Sequence, residues 1–267
     1  MSPIHKHALV HPKAQLDDSV QVGPFAVIEE NVQIGAGTVI GPHAVITGHT
    51  KIGKNCRIFS SAVVGSIPQD LKYKGEKSYL IIGDNNIIRE FCTINPGTGE
   101  AGKTIIGNNN LLMAYVHVAH DCKIGNYNIL VNNATLGGHV QVEDHCLISA
   151  LTAVHQFVRV GQFAIIGGCS KVVQDIPPFA MADGHPARVY GLNLVGLKRN
   201  NFSKTTIKEL DKAFKILFQS GLSMKNAIKQ IMEEKFTCQE VNYLVSFIKN
   251  SSRGVIRARN IRAQGEE

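Results

Sequence analysis

Val22-Gly-Pro-Phe-Ala-Val-Ile28-Glu-Glu-Asn-Val-Gln-Ile34-Gly-Ala-Gly-Thr-Val-Ile40-Gly41 carries an aliphatic residue at every sixth place. Outward from it, Val10, Leu16, Ile46, Ile52, Ile58 and Val64 keep the same step. The phase resumes at Ile82, Ile88, Ile94 and Ile106 and continues from Leu112 to Val172. Chance does not hold one phase over so many units. The next place is often glycine, as at Gly23, Gly35, Gly41, Gly53 and Gly65, and the fifth place is small, as at Ala26, Thr38 and Ala44. A period of six fits neither a helix, at 3.6, nor a plain alternating strand, at 2. It fits a parallel β-helix of short strands and turns whose stacked coils point their aliphatic residues inward. Glycine and asparagine, as at Asn85, Asn86, Asn108, Asn109, Asn110, Asn132 and Asn133, are expected in the turns, because they adopt positive φ at low cost.

Two stretches break the phase. Residues 66–78 are polar and irregular, and residues 96–103 form a glycine-rich insert. Loops thrown out from a rigid scaffold are favoured places for binding residues. Gln69 and Asp70 with Lys72 and Lys74 offer acceptors and cations suited to a sugar phosphate. The plain alternative for both stretches is a tolerated surface excursion.

From Pro177-Pro178 the repeat fails, and the chain changes character after Gly191. Ser203 caps an expected helix with the apolar face Ile207, Leu210, Phe214 and Leu217, ending near Gly221. Ser223 caps a second, with Ala227, Ile228 and Ile231. Thr237-Cys-Gln-Glu240 reads as a capping box leading into Val241, Leu244, Val245 and Ile248. The expected division is a coil over 1–190, a small α-helical domain over 191–256, and a loose tail over 257–267 with Arg257, Arg259, Arg262, Glu266 and Glu267. Residues 1–190 hold 14 Lys+Arg and 14 Asp+Glu, and residues 191–267 hold 14 against 7, so the helical part carries all of the net charge of +7. That suits a docking face for an acidic partner, or simply a solvated surface. Aromatic and basic residues are not interleaved, which argues against nucleic acid.

A chain of 267 residues, 44% hydrophobic, can bury a core. No stretch approaches the roughly 20 apolar residues of a membrane span. The N-terminus lacks the pattern of a signal peptide, so the expected location is cytoplasmic. Of the six cysteines, Cys56, Cys92, Cys122 and Cys146 take the small fifth place and read as core residues. No C-x-x-C pair or finger spacing supports a zinc site or a disulfide framework.

The richest cluster of titratable groups is Tyr115-Val-His-Val-Ala-His-Asp-Cys122. Val118 keeps the aliphatic place and Cys122 the small one. His120 and Asp121 occupy places whose identity the repeat does not fix. An imidazole followed by a carboxylate supplies a proton acceptor and a group able to orient it. The alternative is polar decoration on the outside of the coil.

Ile67-Pro-Gln-Asp-Leu-Lys-Tyr73, Leu111-Leu-Met113, His117-Val-Ala-His-Asp-Cys122, Asn132-Asn-Ala-Thr-Leu136, Thr152-Ala-Val-His-Gln-Phe157, Val173-Gln-Asp-Ile-Pro-Pro178, Gly191-Leu-Asn193 and Gly196-Leu-Lys-Arg199 together resemble the acyl-[acyl-carrier-protein]:UDP-N-acetylglucosamine O-acyltransferase family of lipid A biosynthesis. The resemblance covers nearly the whole chain. It implies a left-handed coil, although parallel crossovers are normally right-handed. It also implies a homotrimer with active sites between subunits, no metal and no cofactor. The implied reaction moves an (R)-3-hydroxyacyl chain from acyl carrier protein to the 3-hydroxyl of UDP-N-acetylglucosamine. His120 would be the general base and Asp121 its orienting partner. Backbone N–H groups at Gly138 would hold the oxyanion. Gln69, Asp70, Lys72, His117, His139, Gln156, Asn193 and Arg199 would hold the nucleotide sugar.

A residue at the position of Gly168 limits acyl length in the family. Glycine there implies a long chain, which Ile165 and Ile166 could shorten. Asn95-Pro96-Gly97 stands where the family carries His-Arg-Gly, removing a phosphate contact. Val195 and Asn200 replace an acidic residue and a second Arg.

Other readings remain. A hexapeptide acyltransferase could use a different amino-sugar nucleotide, or coenzyme A as donor. A γ-type carbonic anhydrase would need three spaced zinc ligands, and His139 and His145 lack the His-x₄-His spacing. A non-catalytic solenoid would leave the histidines incidental.

Overall fold

A computed structural model describes residues 3–258. Strands mostly two residues long form three parallel sheets, and the chain visits the sheets in rotation. The first sheet begins with Leu9–Val10, the second with Gln15–Leu16 and the third with Gln21–Val22. Val10 lies beside Ile28, and Ile28 beside Ile46, so one coil takes three six-residue units. The aliphatic residue of each unit points inward, and from Val22 to Val172 all are buried. Burying each such side chain is worth about 1.5–3 kcal/mol, a gain repeated coil after coil that helps offset the entropy lost in ordering strands only two residues long. The Val64 to Ile94 and Ile94 to Val118 pairings skip further along the chain, and both extra segments leave at the edge between the first and second sheets.

The turns differ from expectation in one respect. Positive φ falls at the fourth place of the unit, and it is taken not only by Asn85, Asn109 and Asn133 but by Phe25, His43, Tyr115, Asp121, His139 and Phe163. Rings one coil apart stack there, as in His145 on Phe163 at 4.6 Å. The stacking offsets the modest cost of left-handed backbone. Glycine after the aliphatic place has another cause, which is close approach. A Cβ on Gly41 would fall 2.9 Å from Ser60 N.

Asn86, Asn110 and Asn128 are not turn residues. They are buried at the fifth place, where Asn86 Oδ1 accepts from the Asn110 amide, Asn110 Oδ1 from Asn128 N and Asn128 Oδ1 from Cys146 N. Asn128 Nδ2 ends this ladder buried and without a partner. Thr38 fills the same column, accepting from Cys56 N and donating to Gly53 O. Asn128→Thr should therefore keep the acceptor, remove the orphan donor and raise stability by about 1 kcal/mol in chemical denaturation. A loss of stability would show that Nδ2 has a partner in solution.

After Lys171–Val172 the coil is closed by an antiparallel hairpin, Ala180–Gly184 with Ala187–Leu192. Among the described residues four helices follow: α1 (Leu194–Arg199), α2 (Lys204–Phe218), α3 (Met224–Glu233) and α4 (Gln239–Lys249). Ser203 and Ser223 cap α2 and α3 through Thr206 N and Asn226 N. The capping box at Thr237 does not form. Cys238 is the N-cap of α4 and makes no side-chain cap, and Glu209 of α2 instead accepts from the Thr237 hydroxyl and from Thr237 N and Cys238 N. Those hydrogen bonds hold the Glu209 carboxyl down at about 2. An acceptor supplied from α2 thus ties the two helices together.

The chain then returns to the coil. Val255 bridges to buried Asp175 and Ala258 to Val189, so Arg257 and Ala258, assigned to the tail by sequence, are paired. Arg259, Arg262, Glu266 and Glu267 lie outside the described residues. Among the described residues no helix is long and apolar enough to cross a membrane.

Candidate active site

The edge between the first and second sheets carries both inserts and the titratable cluster. Going along the coil it presents the 66–78 loop, the 96–102 insert, His120 with Asp121, His139, and Gln156 with Phe157. This clustering follows from the rotation of the chain. Residues about 18 apart share an edge, so His120, His139 and Phe157 fall in register with the two loops.

At the centre, His120 Nδ1 lies 2.9 Å from Asp121 Oδ2. Asp70, from the first loop, places Oδ2 3.8 Å from His120 Nε2 and fixes its other oxygen on Lys72 N. His139 Nε2 is 3.7 Å from Asp121 Oδ2, and its ring stands edge-on to His120 while stacking on Phe157. His117 Nδ1 meets Thr93 Oγ1 at 2.7 Å. Burial, with a smaller push from His120, lowers the His117 pKa and favours its neutral form.

Asp121 is partly desolvated, which by itself raises a carboxyl pKa. The hydrogen bonds from Thr98 and His120 and the charge of His139 prevail and hold it below the ordinary carboxylate value. Thr98 is the residue sequence reasoning missed. Its N–H reaches both oxygens of Asp121 at 3.0 and 3.1 Å, and its hydroxyl donates to Oδ2 at 2.6 Å. The available signal was the one hydroxyl in a run of glycines.

Gly138 packs against the imidazole, so that an added Cβ would sit 2.5 Å from His120 Cε1 and Nε2. Asn95, read as a lost phosphate contact, is buried and donates to Ser66 O and Ile67 O, anchoring the first loop at its base. The buried thiols are no nucleophiles. Burial pushes Cys92 and Cys122 up to about 12, and all six cysteines are free.

Not every expected site residue gathers here. Gln69, Lys72 and Gln156 are exposed along this edge. Asn193 lies at the edge between the second and third sheets, where it donates to Phe163 O and caps α1 through Gly196 N, with exposed Arg199 ending that helix. Gly168 lies exposed at the remaining edge, where an added Cβ meets only Ala150 O at 3.4 Å. His120, Asp121 and His139 have ligand atoms within 4.8 Å of one another, a spacing a cation could use. In the conformation described, His120 and Thr98 already engage the Asp121 oxygens.

This geometry can be set beside known proteins. Residues 175–256 match the family described as UDP-N-acetylglucosamine O-acyltransferase, domain 2, and residues 13–48 and 103–138 match bacterial transferase hexapeptide repeats. An acyl-[acyl-carrier-protein]--UDP-N-acetylglucosamine O-acyltransferase of Myxococcus xanthus is 49% identical over 258 residues, 96% of this chain and all of that protein. One from Sulfurovum is 50% identical, over 96% of this chain and 98% of its own. The solved UDP-N-acetylglucosamine acyltransferase of Bacteroides fragilis superposes with a TM-score of 0.93 at 44% identity, covering 95% of this chain and 99% of that one. The Campylobacter jejuni enzyme gives 0.90 at 43%, covering 96% and 100%. The fold is the left-handed parallel β-helix with a helical C-terminal part. The chain belongs to the acyl-[acyl-carrier-protein]--UDP-N-acetylglucosamine O-acyltransferase family.

Proposed function

We propose that the chain transfers an (R)-3-hydroxyacyl group from the thioester of acyl carrier protein to the 3-hydroxyl of UDP-N-acetylglucosamine, the first step of lipid A biosynthesis, with His120 as general base. The observation that carries the base assignment is the His120–Asp121 hydrogen bond. An ionised carboxylate can only accept, so Nδ1 bears the proton and Nε2 offers a bare lone pair. Nε2 removes the proton of the sugar hydroxyl as its oxygen attacks the thioester carbon. The tetrahedral intermediate then collapses, the C–S bond breaks, and the imidazolium returns the proton to the departing thiolate. A neutral alcohol is a weak nucleophile, and a placed base contributes ~10² to 10⁴ in rate. The Gly138 N–H suits the oxyanion. The third place of the repeat leaves its amide without a backbone partner. At Asn126 the Asp144 carboxylate accepts it, whereas among the described residues nothing accepts from Gly138. No metal takes part in this reading.

Gln69, Asp70, Lys72, His117, His139 and Gln156 line the sugar-nucleotide side, and Asn193 and Arg199 complete it from a second subunit of a homotrimer. Their position on another edge of the prism supports that sharing, as do exposed Phe91, Tyr115 and Leu151 along the coil and exposed Ile67 and Leu71 on the loop. Such apolar groups in line mark a protein contact. Lys198, Lys204 and Lys208 around Leu194, Phe202 and Ile207 suit an acidic carrier protein. Six unpaired thiols suit the cytoplasm.

The test is an acyl-transfer assay with UDP-N-acetylglucosamine, an amino-sugar analogue, and a panel of hydroxyacyl carrier proteins and coenzyme A thioesters. Preference for the analogue or for coenzyme A would overturn the reading, and a monomer in sedimentation would remove the shared site. In the same panel Gly168→Met should shift preference to shorter chains by about tenfold or more in kcat/KM, since lost methylenes are each worth several-fold. An unchanged profile would place the acyl groove elsewhere.

A further inference from the structure

The glycine-rich insert is tied into the edge it leaves from. Gly97 N donates to Tyr79 O and Ala101 N to Lys77 O, so both ends are anchored on one strand and its approach. The two limbs touch at Gly97 and Gly102. A Cβ on Gly97 would fall 2.2 Å from Lys103 N, and one on Gly102 would fall 1.8 Å from Thr98 O. Glycine at both positions is what lets the loop close so tightly, and closure brings Thr98 onto the carboxylate of a residue 23 positions later.

We propose that Thr98 is a positioning residue of the reaction, acting through Asp121, and that the insert exists to deliver it. The inference rests on the reading of His120 and Asp121 as a catalytic pair. Asp121 Oδ2 receives the Thr98 hydroxyl at 2.6 Å, Thr98 N–H at 3.0 Å and His120 Nδ1 at 2.9 Å. Without the first two, the carboxylate keeps a choice of imidazoles. His139 Nε2 already stands 3.7 Å from the same oxygen. Thr98 fills the acceptor sites facing the insert and fixes the carboxylate plane, so that Oδ2 stays aimed at His120 Nδ1. That hydrogen bond holds the tautomer with a bare Nε2. Asp121 itself sits at φ 59°, on a corner whose backbone alone does not fix its side chain. Thr98 does not touch the reacting atoms in this account, and its contribution is realised only through Asp121.

The test uses the full-length protein and three substitutions. Thr98→Val removes the hydroxyl at constant shape. It should lower kcat by about tenfold, the usual order for a hydrogen bond to a charged group, with KM for UDP-N-acetylglucosamine unchanged. Thr98→Ser should stay within about twofold of wild type, because the donor is kept. Gly102→Ala, which pushes the insert off through Thr98 O, should cost more than Thr98→Val, since the N–H contact goes too.

The readout that a structural role would not reproduce is coupling. In an Asp121→Asn background, Thr98→Val should cost less than about twofold. The His120 Nδ1 proton signal in NMR, which does not depend on residual activity, should broaden by faster exchange in Thr98→Val and be retained in Thr98→Ser. Thr98→Val with wild-type kcat, equal losses in both backgrounds, or an unchanged ring-proton signal would each overturn the proposal. If Asp121→Asn were itself fully active, the catalytic pair would fall and Thr98 with it. An impaired Asp121→Asn beside an unimpaired Thr98→Val would remove only the role of Thr98.

Discussion

His120→Ala is expected to lower kcat about a thousandfold while leaving KM for UDP-N-acetylglucosamine within a few-fold of wild type. In the proposed mechanism the base acts on the sugar hydroxyl only as the new C–O bond forms, so its removal is felt in the transition state rather than in binding. Asp121→Asn should lose less. An amide can still accept at Nδ1, but it no longer opposes the imidazolium charge, and it can present its donor and turn the ring to the wrong tautomer. The pH dependence has a definite sign. Asp121 is held below the ordinary carboxylate value, so its charge is present at and above that value and is lost only as pH falls through the lowered one. Loss of the Asp121 charge should therefore cut activity only at the acidic end of the profile, below the ordinary carboxylate range. Single-turnover rates with saturating acyl donor separate this from slow product release. A His120→Ala enzyme retaining a tenth of the wild-type rate would transfer the role of base to another group, with His139, whose ring centroid lies 5.2 Å from that of His120, a candidate.

Much of this site could be read from sequence because it is local. His120 and Asp121 are adjacent, and the unbroken phase of Val118 and Cys122 showed which neighbours belonged to the wall. The ladder likewise determined which side chains point inward, since a six-residue unit leaves one register that buries every aliphatic residue. What sequence did not show was closure across the edges. Thr98 meets Asp121 because two turns lie one above the other, and nothing near Thr98 encodes that neighbour. Glu209 replaces the local cap at Thr237 for the same reason, since two packed helices bring a carboxylate within reach of amides 28 residues away. The six-residue helix α1 contains Gly196 and carries too short an apolar pattern to be recognised. Asn95 looked like a missing contact because its substitution was judged against a ligand, whereas its amide serves the loop. Asn193 and Arg199 carried the resemblance but not their placement on a different edge of the prism, which depends on where the hairpin after Phe179 returns the chain.

Gly138→Ala should be the most damaging substitution outside the proposed catalytic pair, with kcat reduced about a hundredfold, the scale of a misplacement of about 1 Å at a reacting group. Gly138 does not use left-handed backbone, since the positive φ of that turn belongs to His139 at 60°. Alanine therefore fits the local conformation, and its burden is purely spatial. The new methyl would lie 2.5 Å from His120 Cε1 and Nε2, well inside van der Waals contact, and neither neighbour can absorb the clash. The Gly138 carbonyl is tied to Phe157 N at 3.0 Å, while the ladder at Leu136 and Val140 is buried on both sides. The imidazole has to yield, and moving it breaks the alignment with Asp121 that leaves Nε2 bare. The same methyl crowds the N–H proposed to hold the oxyanion, so the two effects would act on one step and should not be separable by rate alone. Thermal unfolding should stay within a few degrees of wild type, because no backbone hydrogen bond is lost and the substitution reaches a ring at the surface of the coil. A normal unfolding curve with a hundredfold loss in kcat, and no increase in KM beyond a few-fold, would fit displacement of the base. Wild-type turnover in Gly138→Ala would mean that His120 has room to retreat and still react, and the close packing of glycine against its ring would then have no catalytic consequence.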